Sequence, residues 1–221
     1  MDWVEGEVLL IDKPYQWTSF DVVKKIRGIL GIKKIGHAGT LDPLATGLLI
    51  LCTGKKTKQI DTFQGQEKEY AGKILLGKTT PSADLETAFD SEKDTSHLTP
   101  KKIEAAAASF LETQMQIPPL FSALKIDGER AYKKARRGET VAPKAREVFI
   151  KEFLITGYAL PYISFNLICS KGTYVRSLAR DLGEVLGTGG CLAELRRTRI
   201  GAFKVTEALS LSDVEEMQKD L

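Results

Sequence analysis

Gly36-His37-Ala38-Gly39-Thr40-Leu41-Asp42-Pro43-Leu44-Ala45-Thr46-Gly47, running directly into Leu48-Leu49-Ile50-Leu51-Cys52, is the stretch around which this chain is organised. Three glycines and one proline among twelve residues argue against a regular helix or strand, because glycine opens backbone angles closed to other residues and proline removes an N–H donor. The spacing predicts a shaped loop that enters a buried strand over 48–52. Asp42 is the only carboxylate of the loop, and the proline after it pushes its backbone toward an extended conformation.

Working outward, eight lysines and arginines (24, 25, 27, 33, 34, 55, 56 and 58) lie between Lys24 and Lys58 with Asp42 as the single acid. A carboxylate in such a field stays ionised, and a polyanion drawn to the field is delivered to it, as an active site for nucleic acid requires. The other reading is an Asx turn at Asp42 with the lysines as ordinary solvated surface. The loop by itself leaves both open.

The 221 residues are 43% hydrophobic and 28% charged, which suits a globular chain able to bury a full core. The net charge of +3 is mild, but Glu207 to Leu221 holds five acids and one lysine, so basic charge is concentrated elsewhere. Cys52, Cys169 and Cys191 form no CxxC pair, and the first two end apolar runs, where a thiol acts as a small hydrophobe; a reducing compartment fits. His37 and His97 stand far apart, which argues against a protein-built zinc site. The acidic start and the lack of any apolar run near roughly 20 residues predict a cytoplasmic protein without a membrane segment.

Along the chain, Val8-Leu9-Leu10-Ile11 reads as a short strand with Lys13 leaving its end, and Thr18 or Ser19 caps a helix whose Val22, Val23, Ile26, Ile29 and Leu30 share a face ended by Gly31. A strand is expected over 70–76 with Tyr70 at its entrance, then an acidic loop from Gly77 to Asp94. Thr99-Pro100 starts a helix with Ile103, Ala106, Ala107, Phe110 and Leu111 inward, its end marked by Pro118-Pro119. From Ser122 to Glu147 eight basic residues stand against four acids, a solvated helix face or a nucleic-acid contact. Strands follow over 148–155 and 163–169 as neighbours. A helix then carries Val175, Leu178, Ala179, Leu182, Val185 and Leu186 on its core side, with Arg176 and Arg180 on the other. Leu195-Arg196-Arg197 precedes a last strand near Ile200 to Val205, and 211–221 reads as an acidic helix.

Several of these stretches together resemble the TruB-type tRNA pseudouridine-55 synthases: Leu10-Ile11-Asp12-Lys13-Pro14, the whole of Gly36 to Gly47, Lys68-Glu69-Tyr70, Ser122-Ala123-Leu124-Lys125, Cys169-Ser170-Lys171-Gly172-Thr173-Tyr174-Val175-Arg176 and Leu195-Arg196-Arg197. They occur in the family's order and span nearly the whole chain. The resemblance implies an α+β fold with a mixed, largely antiparallel central sheet, flanking helices and a catalytic cleft across its middle. It implies conversion of a uridine in the T loop of tRNA to pseudouridine, the base being flipped out before any side chain can reach it. Asp42 matches the essential aspartate, acting either as nucleophile at C1′ or as base at C2′; Arg176 matches its arginine partner and Tyr70 the tyrosine that stacks on the base. His37 matches the histidine that fills the space left by the base. Lys13, Leu195, Tyr174, Gly39, Leu41 and Lys125 match substrate-pocket positions, and Lys133, Lys134, Arg136 and Arg137 fall in a basic insertion, about 119–147, that grips the RNA backbone. No metal or other cofactor is implied, since oxidation state balances within the substrate.

The expectation is therefore one catalytic domain over 1–221, acting as a monomer on the T arm of tRNA without an obligatory protein partner. The RNA-binding domain of the PUA kind that follows in familiar bacterial members is expected to be absent. Two readings compete: a non-catalytic RNA binder, which would not need Asp42, and a guide-RNA-dependent relative sharing the same core. A phosphate loop at Thr53-Gly54-Lys55-Lys56-Thr57 lacks the preceding glycine at the Walker spacing.

Overall fold

The computed structural model describes residues 2–219 except 123, 127–128, 132–136, 138 and 140–142. The chain divides into two compact units, Met1–Ala71 with Leu195–Leu221, and Gly72–Glu194. Its elements are β1 (Val8–Lys13), α1 (Ser19–Leu30), β2 (Ile35–His37), β3 (Ala45–Thr53), a 3-10 turn (Gly54–Gln59), α2 (Ile60–Gly65), β4 (Lys68–Leu76), β5 (Lys78–Thr79), β6 (Ser91–Glu92) and α3 (Pro100–Ala108). There follow β7 (Glu112–Gln116), β8 (Lys125–Ile126), β9 (Glu129–Arg130), β10 (Arg146–Ala159), β11 (Tyr162–Cys169), α4 (Val175–Val185), β12 (Gly190–Ile200), β13 (Phe203–Lys204) and α5 (Leu211–Lys219). The class is α+β, with a mixed, mostly antiparallel sheet and flanking helices.

In the first unit the strand order is β1-β3-β12-β4, with β2 also on β3 and β13 on β12. β1 runs antiparallel to β3, Lys13 opposite Gly47, while β12 runs parallel to β3 with Leu195, Arg196 and Arg197 opposite Ala45, Thr46 and Gly47. β3 is buried along almost its whole length because both its faces are covered. Leu49 and Leu51 pack with Leu9, Ile11, Val22, Val23, Ile26 and Val214 on the α1 and α5 side. Leu48, Ile50 and Cys52 pack with Ala38 and Ile200 on the other. Thr18 closes a capping box with Asp21, and Gly31 ends α1 at a left-handed φ of 63°.

The second unit orders its strands β12-β4-β11-β10-β7. β10 and β11 form a long antiparallel hairpin, with Ile163, Phe165, Leu167 and Cys169 alternating onto the buried face as their spacing requires. Phe153 sits edge-on between Phe165 and Phe110, at ring separations of 5.7 and 6.4 Å. No helix among the described residues is long and apolar enough to cross a membrane.

The structure corrects several local expectations. Gly36 and His37 belong to β2, and Ala45, Thr46 and Gly47 already belong to β3, so the loop proper is residues 38–44. Gly47 sits inside a strand because β12 passes so close that a β-carbon there would lie 2.3 Å from the Arg197 carbonyl oxygen. The helix begun at Pro100 stops at Ala108, far short of Pro118. β7 follows through a left-handed Glu112, which leaves Leu111 exposed. Leu195-Arg196-Arg197 lies within an eleven-residue strand rather than before one. On α4 the expected sides are partly reversed: Val185 is exposed and Arg176 is buried, because Arg176 finds polar partners in the interior.

Candidate active site

The loop between β2 and β3 is held from below by three buried polar side chains of the first unit. Ser19, at the start of α1, accepts a hydrogen bond from the Leu41 amide at 2.9 Å and donates to the Leu41 carbonyl at 3.2 Å. Lys13, fully buried at the end of β1, donates from Nζ to the carbonyls of Pro14 (2.9 Å), Trp17 (2.6 Å) and Pro43 (3.4 Å). Arg197, also buried, donates through Nε to Leu48 O (2.8 Å) and through Nη2 to Gly39 O (3.1 Å). The Gln16 amide adds a bond to Pro43 O at 2.9 Å, and the Ala45 amide one to Asp42 O at 3.0 Å. The peptides on both sides of Asp42 are therefore anchored, while Asp42 itself remains partly exposed.

The buried cations explain the electrostatics. Burial lowers the Lys13 pKa to about 8, and the Asp42 carboxylate is the main charge opposing that fall. His37 is partly buried; desolvation lowers its pKa below the ordinary value, the Arg197 charge lowers it further, and the Gly39 backbone offsets part of the effect. Its Nδ1 is buried without a hydrogen-bond partner. A neutral ring with an unused nitrogen can take a bond from an incoming polar group.

Strand β12 ties this unit together. Leu195 stands opposite Ala45, three residues after Asp42. Arg196 grips Asp12 with both Nη atoms, at 3.0 and 2.6 Å. Arg199 holds Glu69 and Glu67, both at 2.9 Å, on and beside the strand that carries the buried Tyr70. Tyr70 is the third residue of β4, not its entrance.

In the second unit, Tyr174 precedes α4 with its main chain clasped by Gln116, which accepts from Tyr174 N at 2.8 Å and donates to Tyr174 O at 3.1 Å. The Arg146 guanidinium lies 4.8 Å from the Tyr174 ring centre. Arg176 donates to Ser82 O at 3.1 Å and Phe121 O at 2.9 Å and lies 3.5 Å from Asp84, which is equally buried. Arg180 pairs with its neighbour Asp181 at 2.7 Å.

Of the expected site residues, Lys13, His37, Gly39, Leu41, Asp42, Tyr70 and Leu195 belong to the first unit, and Tyr174 and Arg176 to the second. Lys125 begins the short strand β8. Lys133, Lys134 and Arg136 lie outside the described residues, as does much of the basic insertion. Arg137 is exposed with its guanidinium held by Glu129 and Glu139, which raise its pKa. Sequence reasoning missed Ser19 as a loop anchor, Arg197, Asp84 and Gln116. Only Arg197 carried a signal, its place in the Leu195-Arg196-Arg197 motif.

The fold is α+β with one carboxylate on an anchored loop, and comparison with known proteins places the chain in a class of enzymes. A model of the TruB family pseudouridylate synthase N-terminal domain matches residues 27–175, and one of the tRNA pseudouridylate synthase B C-terminal domain matches 176–220. The chain belongs to the TruB family of pseudouridine synthases. It is 50% identical to the tRNA pseudouridine synthase B of Flavobacterium johnsoniae, covering 97% of each chain. The protein of that name from Chloroherpeton thalassium is 53% identical, with 96% of this chain and 90% of that one covered. A solved chain in the crystal structure of a Cbf5-Nop10-Gar1 complex superposes with a TM-score of 0.76 at 29% identity over 97% of this chain. The match spans only 54% of that longer chain.

Proposed function

We propose that this protein isomerises uridine 55, in the T loop of tRNA, to pseudouridine. The uridine is flipped into the site, its C1′–N1 bond breaks, the uracil turns while bound, and C5 joins C1′. The proton lost from C5 is balanced by one gained at N1, so no redox partner is consumed. Asp42 supplies the carboxylate, as nucleophile at C1′ or base at C2′. Tyr70 stacks on the base and His37 fills the gap it leaves. Arg176, Tyr174, Lys13, Leu195, Gly39, Leu41 and Lys125 serve the same reaction, and Lys133, Lys134, Arg136 and Arg137 contact the RNA backbone.

The observation that carries this reading is the anchored Asp42 loop: its flanking peptides are tied to buried Ser19 and Lys13 while the carboxylate is left partly accessible. A binder would need the basic surface but not a carboxylate so constrained. The whole of 1–221 is read as one catalytic domain, monomeric, cytoplasmic and independent of protein partners. Identity near one half to proteins named tRNA pseudouridine synthase B, against 29% to the solved Cbf5 chain, favours the stand-alone reading.

The test uses unmodified tRNA transcript carrying tritium at uridine C5. The wild type releases one tritium per target, and Asp42→Asn abolishes release while still binding tRNA. No release from wild type leaves only an RNA binder; release only with added partner proteins supports the guide-dependent relative.

A further inference from the structure

We propose that Arg197 is a positioning residue for the reaction, clamping the Gly39 carbonyl of the catalytic loop to the Leu48 carbonyl of strand β3 through one buried guanidinium. The inference rests on the isomerase reading above and adds to it a group that touches neither base nor ribose.

Arg197 is 1% exposed and, among the described residues, forms no ion pair with a carboxylate. A buried cation satisfied only by main-chain carbonyls is a costly way to fill a core, since an apolar side chain of similar volume avoids the desolvation. Joining β12 to β3 does not require it. Residues 195–197 already pair with 45–47 through the backbone, and Arg196 separately ties β12 to Asp12 and Thr46. What the Arg197 side chain adds is reach beyond the sheet. Nε stays on β3 at Leu48, while Nη2 crosses to Gly39, two residues after His37 and three before Asp42.

The planar fork suits this task because its donors are fixed relative to one another, so holding Leu48 O sets the position of Gly39 O. Gly39 has a φ of 93° and packs against the guanidinium, its imagined β-carbon 3.7 Å from Nη1. The first half of the loop thus rests on Arg197, and the second half, at Leu41 and Pro43, on Ser19 and Lys13. Without the fork the first half loses its side-chain anchor, and small displacements of positioned groups cost rate steeply.

The experiment compares wild type, Arg197→Met and Arg197→Lys for single-turnover pseudouridine formation at saturating tRNA, for tRNA Kd, and for melting temperature. The methionine variant should lose about 10- to 100-fold in the single-turnover rate with Kd essentially unchanged. The lysine variant keeps the charge but replaces two fixed donors with one ammonium, and should recover part of the rate. A wild-type rate per folded molecule in Arg197→Met overturns the proposal; if that variant does not fold, a wild-type rate in Arg197→Lys does so. Parallel loss of rate and tRNA affinity also overturns it, because the residue would then act on binding. An inactive wild type is a separate outcome that removes the isomerase reading itself, and this inference with it.

Discussion

The Lys13 ammonium and the Asp42 carboxylate attract each other at the base of the loop between β2 and β3, and this attraction opposes the fall of the Lys13 pKa to about 8 that burial causes. Lys13 therefore holds its proton at neutral pH at a cost to the folded state. Below about pH 8 that cost is fully present. Between about 8 and the ordinary 10.5 the unfolded chain binds more protons than the folded one, so stability rises with pH.

Lys13→Met removes this linkage and leaves the carbonyls of Pro14, Trp17 and Pro43 without their shared donor. The stability gap between wild type and variant should widen in favour of wild type by about 2 kcal/mol from pH 7 to pH 10, read by urea unfolding. A gap independent of pH would mean that Lys13 is not desolvated.

Gly47→Ala should be among the most damaging single-methyl substitutions in the chain. The residue has a φ of 102°, and its β-carbon would fall 2.3 Å from Arg197 O and 2.8 Å from Arg197 N, both main-chain atoms that cannot swing aside. Expected is a loss of more than about 3 kcal/mol or failure to fold, against the smaller cost of ordinary surface changes. Thermal melting of the purified variant decides it.

Asp84→Asn breaks the charge pairing of two side chains that are 4% exposed each, Asp84 and Arg176. Removing one partner of a buried pair costs about 3–5 kcal/mol at most when the other partner keeps further contacts. The Ser82 and Phe121 carbonyls still accept from Arg176, so the lower end of that range is expected. Denaturant unfolding measures it, and an unchanged midpoint would show that the Asp84–Arg176 pair does not stabilise the fold.

His37 should titrate below the ordinary 6.5, with burial as the main cause and the Arg197 charge second. As pH falls below that value the unfolded chain takes up the proton first, so His37 makes the fold less stable in acid. The chain has only two histidines, so NMR of the imidazole C–H signals, assigned with His97→Gln, resolves both. A His37 midpoint above 6.5 contradicts the site as described.

Much of the fold was legible because the signals were local. The capping box at Thr18, the glycine after Leu30, the proline opening α3 and the alternation over 163–169 each follow from one residue's chemistry or one short period. β12 was illegible for the opposite reason. Three arginines in six residues look like exposed surface, and only their partners on other elements, Asp12, Glu67, Glu69 and the loop carbonyls, make a strand of them. Likewise the early end of α3 depends on β7 pairing with β10, a contact thirty or so residues away that no local window contains.

The sequence alone marked Asp42 as the single carboxylate of a glycine- and proline-shaped segment in a basic stretch, and the order of its motifs pointed to the family. Tertiary structure alone decided what holds that acid in place. Ser19, Lys13 and Arg197 come from three separate elements, and their bonds to loop carbonyls and amides exist only once the sheet has formed around them. A hydrogen bond to the main chain leaves no mark in the identity of the residue that receives it, which is why these anchors appear only in the folded protein.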